Sequence, residues 1–90
     1  MTNLNRITIL GNTGQAADTA TSENGKLVTR LSIATHKRFR TESGEWQMKT
    51  EWHDCVIYGG NTADYAAKIP AGALVFVEGE MSYGEHEREI

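Results

Sequence analysis

His53, Asp54 and Cys55 stand in consecutive positions, and by type they are a base, an orienting acid and a nucleophile. A thiol activated by histidine needs the two side chains within hydrogen-bond reach and a third group to steer the ring. The surrounding run TEWHDCVIYG (50–59) reads as a strand, and pleating sends successive side chains to opposite faces. His53 and Cys55 then share a face and Asp54 lies on the other, where it cannot orient the imidazole. Two ligands are too few for a zinc site, and the chain has no second cysteine. Cys55 is expected to be structural, and His53 packed or interfacial. Neither a nucleophile elbow nor a phosphate-binding glycine loop occurs. The chain is expected to be no enzyme and to need neither metal nor cofactor.

A second chemistry lies in THKRFRTESGEW (35–46), which gathers Lys37, Arg38 and Arg40 with Phe39, Trp46 and His36. The turn residues Glu42-Ser43-Gly44-Glu45 fold this stretch into a hairpin tip. Its arms carry Arg30, His36, Lys37, Arg38, Arg40 and Lys49. Charges alone would make it a solvated hairpin. Rings on a polar arm waste apolar area unless a flat partner covers them. Nucleobases are flat partners, and stacking is worth about 1–3 kcal/mol per base whatever the base. Cations beside the rings meet phosphates and release counterions. On the strand 51–58, Trp52, Asp54, Val56 and Tyr58 share a face, with the two rings roughly 20 Å apart at about 3.3 Å per residue. The strand alone leaves open whether these rings fill the core or form stacking platforms. Asp54 between them favours a wet face.

The charge distribution agrees. Net charge is -3, which by itself opposes a nucleic-acid partner. Residues 1–50 hold seven Lys/Arg against four Asp/Glu, a balance of +3; residues 51–90 hold two against eight, a balance of -6. Six of the nine cations fall between Lys26 and Lys49, which is an electrostatic footprint on one half of a small domain. Ninety residues make one domain. No apolar run reaches the roughly 18 residues of a membrane span. The opening MTNLNRITIL lacks a secretory pattern, and a lone cysteine fits a reducing compartment. The cytoplasm is expected, and no membrane.

The elements that must position these residues are four strands and a helix. Strands are expected at Arg6–Leu10, Leu27–Thr35, Glu51–Tyr58 and Ala73–Glu80. The last is the most apolar and is expected to be central. The polar stretch Thr13–Gly25, closed by the Asn24-Gly25 turn, reads as a connection. A helix of about nine residues fits between the third and fourth strands. Asn61 or Thr62 caps it, Asp64 sits in its first turn, and Tyr65, Ala66 and Ile69 form its apolar stripe. The order β-β-β-α-β is that of an all-β OB-fold, a five-stranded Greek-key barrel with one short helix. The fifth strand is missing from this reading.

The segments LNRITILGNTGQ, the Asn24-Gly25 turn, LSIATHKRF, TEWHDCVIYG and LVFVEGEM together resemble the bacterial-type single-stranded DNA-binding protein family, along the whole chain and in order. The resemblance implies an OB-fold, binding of single-stranded DNA with little sequence preference in replication, recombination and repair, and a homotetramer. It places base-stacking rings at Phe39, Trp52 and Tyr58, and backbone contacts at Arg6, Lys37, Arg38, Arg40 and Lys49. Arg30 and Trp46 join the binding set, although Trp46, near the turn, is as well placed to face solvent or a neighbour. His53 is implied to lie near subunit contacts, and the outward face Leu74, Phe76 and Glu80 between dimers.

Departures narrow these expectations. The segment before Asn24 lacks the arginine and aromatic often seen there. Past Met81 the family's arginines and fourth ring give way to Ser82, Gly84 and Glu85, with His86 roughly at the ring's place. The family's further strand and acidic tail are absent from the sequence, so the barrel's last strand is expected to be missing or supplied by a neighbour. Replication and repair proteins are expected as partners only of a longer chain with that tail. Two other readings compete: a primosomal OB-fold accessory protein binding single strands and a replication partner, and a purely structural assembly module.

Overall fold

The computed structural model describes residues 2–83. Strand β3 (Leu27–Arg40) organises the molecule. Along one edge it pairs with β4 (Trp46–Tyr58) in an unbroken antiparallel register from Val28↔Tyr58 to Arg40↔Trp46. Its other edge takes β2 (Asp18–Thr21), from Asp18↔Arg30 to Thr21↔Leu27, and then the end of β1 (Ile7–Thr13), at Asn12↔Ala34 and Thr13↔Ile33. Strand β5 (Leu74–Gly79) pairs with β1 from Ile7↔Gly79 to Asn12↔Leu74. Among the described residues the result is an open antiparallel five-stranded sheet with one short helix, α1 (Gly60–Ala66), between β4 and β5.

Three expectations are corrected. The connection 13–25 contains β2, whose four residues are all exposed; a strand with no buried face shows no alternation to read. The most apolar strand is not central. Among the described residues β5 ends the sheet and pairs with β1 alone, and its apolarity arises because Leu74 and Phe76 point outward while Val75 and Val77 line the core. The helix starts at Gly60 behind Gly59, with no side-chain cap and no acid in its first turn. Both glycines have positive φ, 59° and 68°, a shape glycine adopts freely, and the helix they open already includes Asn61 and Thr62. Its inward residues are Ala63 and Ala66, whereas Tyr65 is exposed.

The core is small. Ile9, Leu31, Ile33 and Ala66 are buried, with Ile7, Ala17, Cys55, Ile57, Ile69, Val75 and Val77 packed around them. Two buried threonines tie the shell. The Thr29 hydroxyl donates to the Ala63 carbonyl (2.8 Å), fastening α1 to β3. The Thr13 hydroxyl donates to the Pro70 carbonyl (2.7 Å) and accepts from the Ala73 amide (3.0 Å), holding the turn that leads into β5. At Gly11 a Cβ would sit 2.2 Å from the Ala34 carbonyl oxygen, so only glycine lets β1 cross β3 this closely.

Beyond the core the β3–β4 hairpin runs on. Every residue in 36–40 and 46–52 is exposed, so these arms project as the long hairpin that the sequence implies. Its turn is closed by Gly44, with φ 88°, whose amide donates to the Thr41 carbonyl and whose carbonyl accepts from Arg40 Nε (3.2 Å).

Candidate nucleic-acid interface

Directly paired residues of an antiparallel ladder project to the same side, so the β3–β4 register divides the candidate residues into two sets. One face carries Arg40 and Trp46, Arg38 and Met48, His36 and Thr50, Ala34 and Trp52, Ser32 and Asp54, Arg30 and Val56, Val28 and Tyr58. The other carries Phe39 and Gln47, Lys37 and Lys49, Thr35 and Glu51, Ile33 and His53, Leu31 and Cys55. Trp46, Trp52, Tyr58 and the arginines 30, 38 and 40 are therefore brought together on one face. Phe39, Lys37 and Lys49 are not; they lie on the reverse side, past the end of the core.

The ring face has the geometry of a stacking platform. Trp52 is 58% exposed and Tyr58 is 78% exposed; neither fills the core. The strand pattern, inward at His53, Cys55 and Ile57 and outward at 52, 54, 56 and 58, is the alternation read from the sequence. Trp52 stands opposite Ala34, and its ring lies against Gly14, where a Cβ would meet ring carbons at 2.5 and 2.7 Å. Two small residues thus make room for the indole beside the sheet, and more than half of the residue stays exposed. Nearer the tip, the Arg38 and Arg40 guanidinium carbons lie 5.0 and 5.5 Å from the Trp46 ring centre, a cation–π arrangement. Trp46 is not loose in solvent. A six-residue step separates each of Trp46, Trp52 and Tyr58, or roughly 20 Å per step.

On the reverse face Phe39 is 39% exposed. Lys37 and Lys49 are cross-strand partners, and Lys49 Nζ is 3.1 Å from Glu51 Oε1, which offsets part of that side's positive charge. Arg6 lies elsewhere: its Nη2 is 3.1 Å from Glu78 Oε2 at the β1–β5 end of the sheet.

His53 Nε2 is 2.8 Å from the Thr35 hydroxyl on the inward side of β4, and Asp54 projects from the opposite face. Burial first, and the adjacent Asp54 carboxylate second, raise the Cys55 thiol above its ordinary value. A proton held more firmly makes a poor nucleophile. Among the described residues no three His, Cys, Asp or Glu side chains gather as metal ligands would. No helix among them is long and apolar enough to cross a membrane.

A different surface is formed where β1 meets β5. Leu10 is the direct partner of Phe76, and Leu74 lies two places along; all three are more than 60% exposed. The outward placing of Leu74 and Phe76 is as read from the sequence. Glu80 follows directly after the strand, which ends at Gly79, and His53 faces inward on β4. Sequence reasoning missed Leu10 and Gly14. Alternation in RITIL would have placed Leu10 outward; nothing in the sequence names the ring that Gly14 meets. Gly84, Glu85 and His86 lie outside the described residues.

Among the described residues an open antiparallel sheet with one short helix makes an OB-fold, and known structures agree. The fold is similar to that of the Plasmodium falciparum SSB complex with ssDNA, with a TM-score of 0.79 and 32% identity over 89% of this chain and 72% of that one. It is also similar to a deletion mutant of the single-stranded DNA binding protein from Thermus aquaticus, with a TM-score of 0.75 and 26% identity over 86% of this chain and 38% of that one. Residues 4–90 match the single-strand binding protein family, and the chain belongs to it. Relatives include the mitochondrial single-stranded DNA-binding protein of Drosophila melanogaster, 34% identical over 91% of this chain and 56% of that protein. Another is the single-stranded DNA-binding protein of Xanthomonas campestris, 32% identical over 92% of this chain and 48% of that protein. The chain spans about half the length of these two relatives. The primosome-type reading is not favoured by this match.

Proposed function

We propose that this chain is a single OB-fold domain that binds single-stranded DNA without enzymatic activity, protecting it during replication, recombination and repair. The observation that carries the reading is Trp52, laid against Gly14 and Ala34, more than half exposed, and flanked by Tyr58 and Trp46 on one strand face. Bases stack on these rings, and Arg38 and Arg40 hold the backbone where it passes the hairpin tip. Phe39, Lys37 and Lys49 extend the path on the reverse side. Arg6 contributes charge from the sheet's end. The protein assembles as a homotetramer through its outward apolar patch. It works in a reducing, DNA-containing compartment, the cytoplasm in our reading, which the lone thiol supports. Replication and repair proteins are partners only where a longer chain supplies a C-terminal tail.

The test is a titration with oligo-dT at low salt, followed by intrinsic tryptophan emission. Stacking on Trp52 quenches it, and adding salt reverses the quench because counterions compete for the backbone. An emission spectrum unchanged by oligo-dT would remove the stacking mechanism.

A further inference from the structure

Between Trp52 and Tyr58 the platform carries more acid than base. Asp54 lies between Trp52 and Tyr58 on the ring face, one same-face step from Trp52. There a groove of about 550 Å³ opens, bordered by Asp18, Arg30, Asp54, Tyr58 and Tyr83. Its volume is in the range of small-ligand sites. Asp18 stands opposite Arg30 across β2–β3. Arg30 is the diagonal neighbour of Asp54, since Ser32 is the residue directly opposite. Among the described residues the ion pairs are Arg6 with Glu78 and Lys49 with Glu51. Among the described residues, Arg30, Asp18 and Asp54 thus border one groove without closing on one another.

Two carboxylates repel a phosphate, so this part of the face meets the edge of a base while the backbone passes outside. The question is which base suits one guanidinium between two carboxylates. Guanine offers O6 and N7 as paired acceptors for an arginine, and beside them N1–H and the N2 amino group as paired donors for a carboxylate. Cytosine and adenine each bring a single exocyclic amino group, and thymine has none. We propose, on the reading that bases stack on this face, that the groove is a guanine subsite. Arg30 donates to O6 and N7, Asp54 accepts from N1–H and N2, and Tyr58 or Tyr83 covers the ring. The domain then binds strands without strict sequence requirement, yet favours guanine at one position over thymine.

The experiment is competition against a labelled oligo-dT, read by fluorescence anisotropy, with unlabelled dT oligonucleotides carrying one central dG, dA, dC or dT. The dG strand is expected to compete about fivefold better than the all-dT strand, the low end of what one bidentate base contact gives. Asp54→Asn is expected to bring that ratio close to one. The ratio is the readout, because removing a negative charge shifts affinity for every strand together. Equal competition by dG and dT, or a preference that survives in Asp54→Asn, overturns the subsite alone. Absence of binding to any oligonucleotide, oligo-dT included, overturns the single-strand reading and the subsite with it.

Discussion

The ring of Trp52 rests on the backbone of Gly14, so closely that a Cβ on residue 14 would lie 2.5 Å from the ring. Gly14 is itself fixed by its amide, which donates to the Ser32 carbonyl (2.9 Å). The contact therefore ties β1's exit to the central stacking position. Gly14→Ala must swing the indole off its seat. Trp52 is already more than half exposed, so the change in stability is expected to stay within about 1 kcal/mol. Affinity for oligo-dT is expected to fall by up to the worth of one stacked base, about 1–3 kcal/mol, with an altered tryptophan emission spectrum in the free protein. Unaltered emission together with unaltered affinity would show that the ring does not depend on this seat.

Phe39 and Trp52 project from opposite faces of the hairpin and have no common neighbour across the ladder. Their contributions should accordingly add. Phe39→Ala with Trp52→Ala is expected to cost about 2–6 kcal/mol of binding, two stacked bases, measured by anisotropy on oligo-dT long enough to cross the hairpin edge. If Phe39→Ala binds like the wild type while Trp52→Ala does not, the strand stays on the Trp46–Trp52–Tyr58 face.

Much of this face was legible in the sequence because β4 alternates inside and outside without interruption from His53 to Tyr58. Period two assigns every ring on such a strand to a side. Parity also places Phe39 apart from Trp52, but only once the hairpin register is known, since residues of two strands share no common count until they are paired. β2 escaped because all its residues are exposed. Composition alone points β5 to the centre, because an apolar edge strand with an uncovered outer face has the same composition as a strand buried on both. Gly14's role was beyond any sequence pattern: its partner is 38 residues away in the chain, and glycine itself carries no signal of what it makes room for.

Cys55 gives the chain a pH dependence on the alkaline side. Its thiol is raised above the ordinary 9.0 by burial and by Asp54, so the folded chain holds that proton more tightly than the unfolded one. Below about pH 9 the thiol is protonated in both states, and its contribution is fully present. As pH rises past 9.0 the unfolded thiol ionises first, and stability is lost until the folded thiol ionises too. Urea midpoints measured at pH 8 and pH 10 are expected to fall further for the wild type than for Cys55→Ala, whatever their difference at pH 8. Equal falls would show that other groups account for the alkaline loss.

Leu10 and Phe76 face each other across β1–β5 and both project outward. An exposed apolar pair of this kind, continued by Leu74, is where we propose that copies of the chain associate. In a closed symmetric assembly the same patch meets its own copy across a two-fold axis, so each substitution acts twice per contact. Burying a phenylalanine is worth about 1.5–3 kcal/mol, and Phe76→Arg loses that on both sides while setting two guanidinium groups against each other. Sedimentation is expected to show a smaller species for Phe76→Arg than for the wild type, with an unchanged far-ultraviolet circular dichroism spectrum. The fold should survive because Phe76 lies outside the core that Val75 and Val77 line. The same mass for variant and wild type would place the contacts between copies on another face, and the inward His53 side of β4 would be the next to substitute.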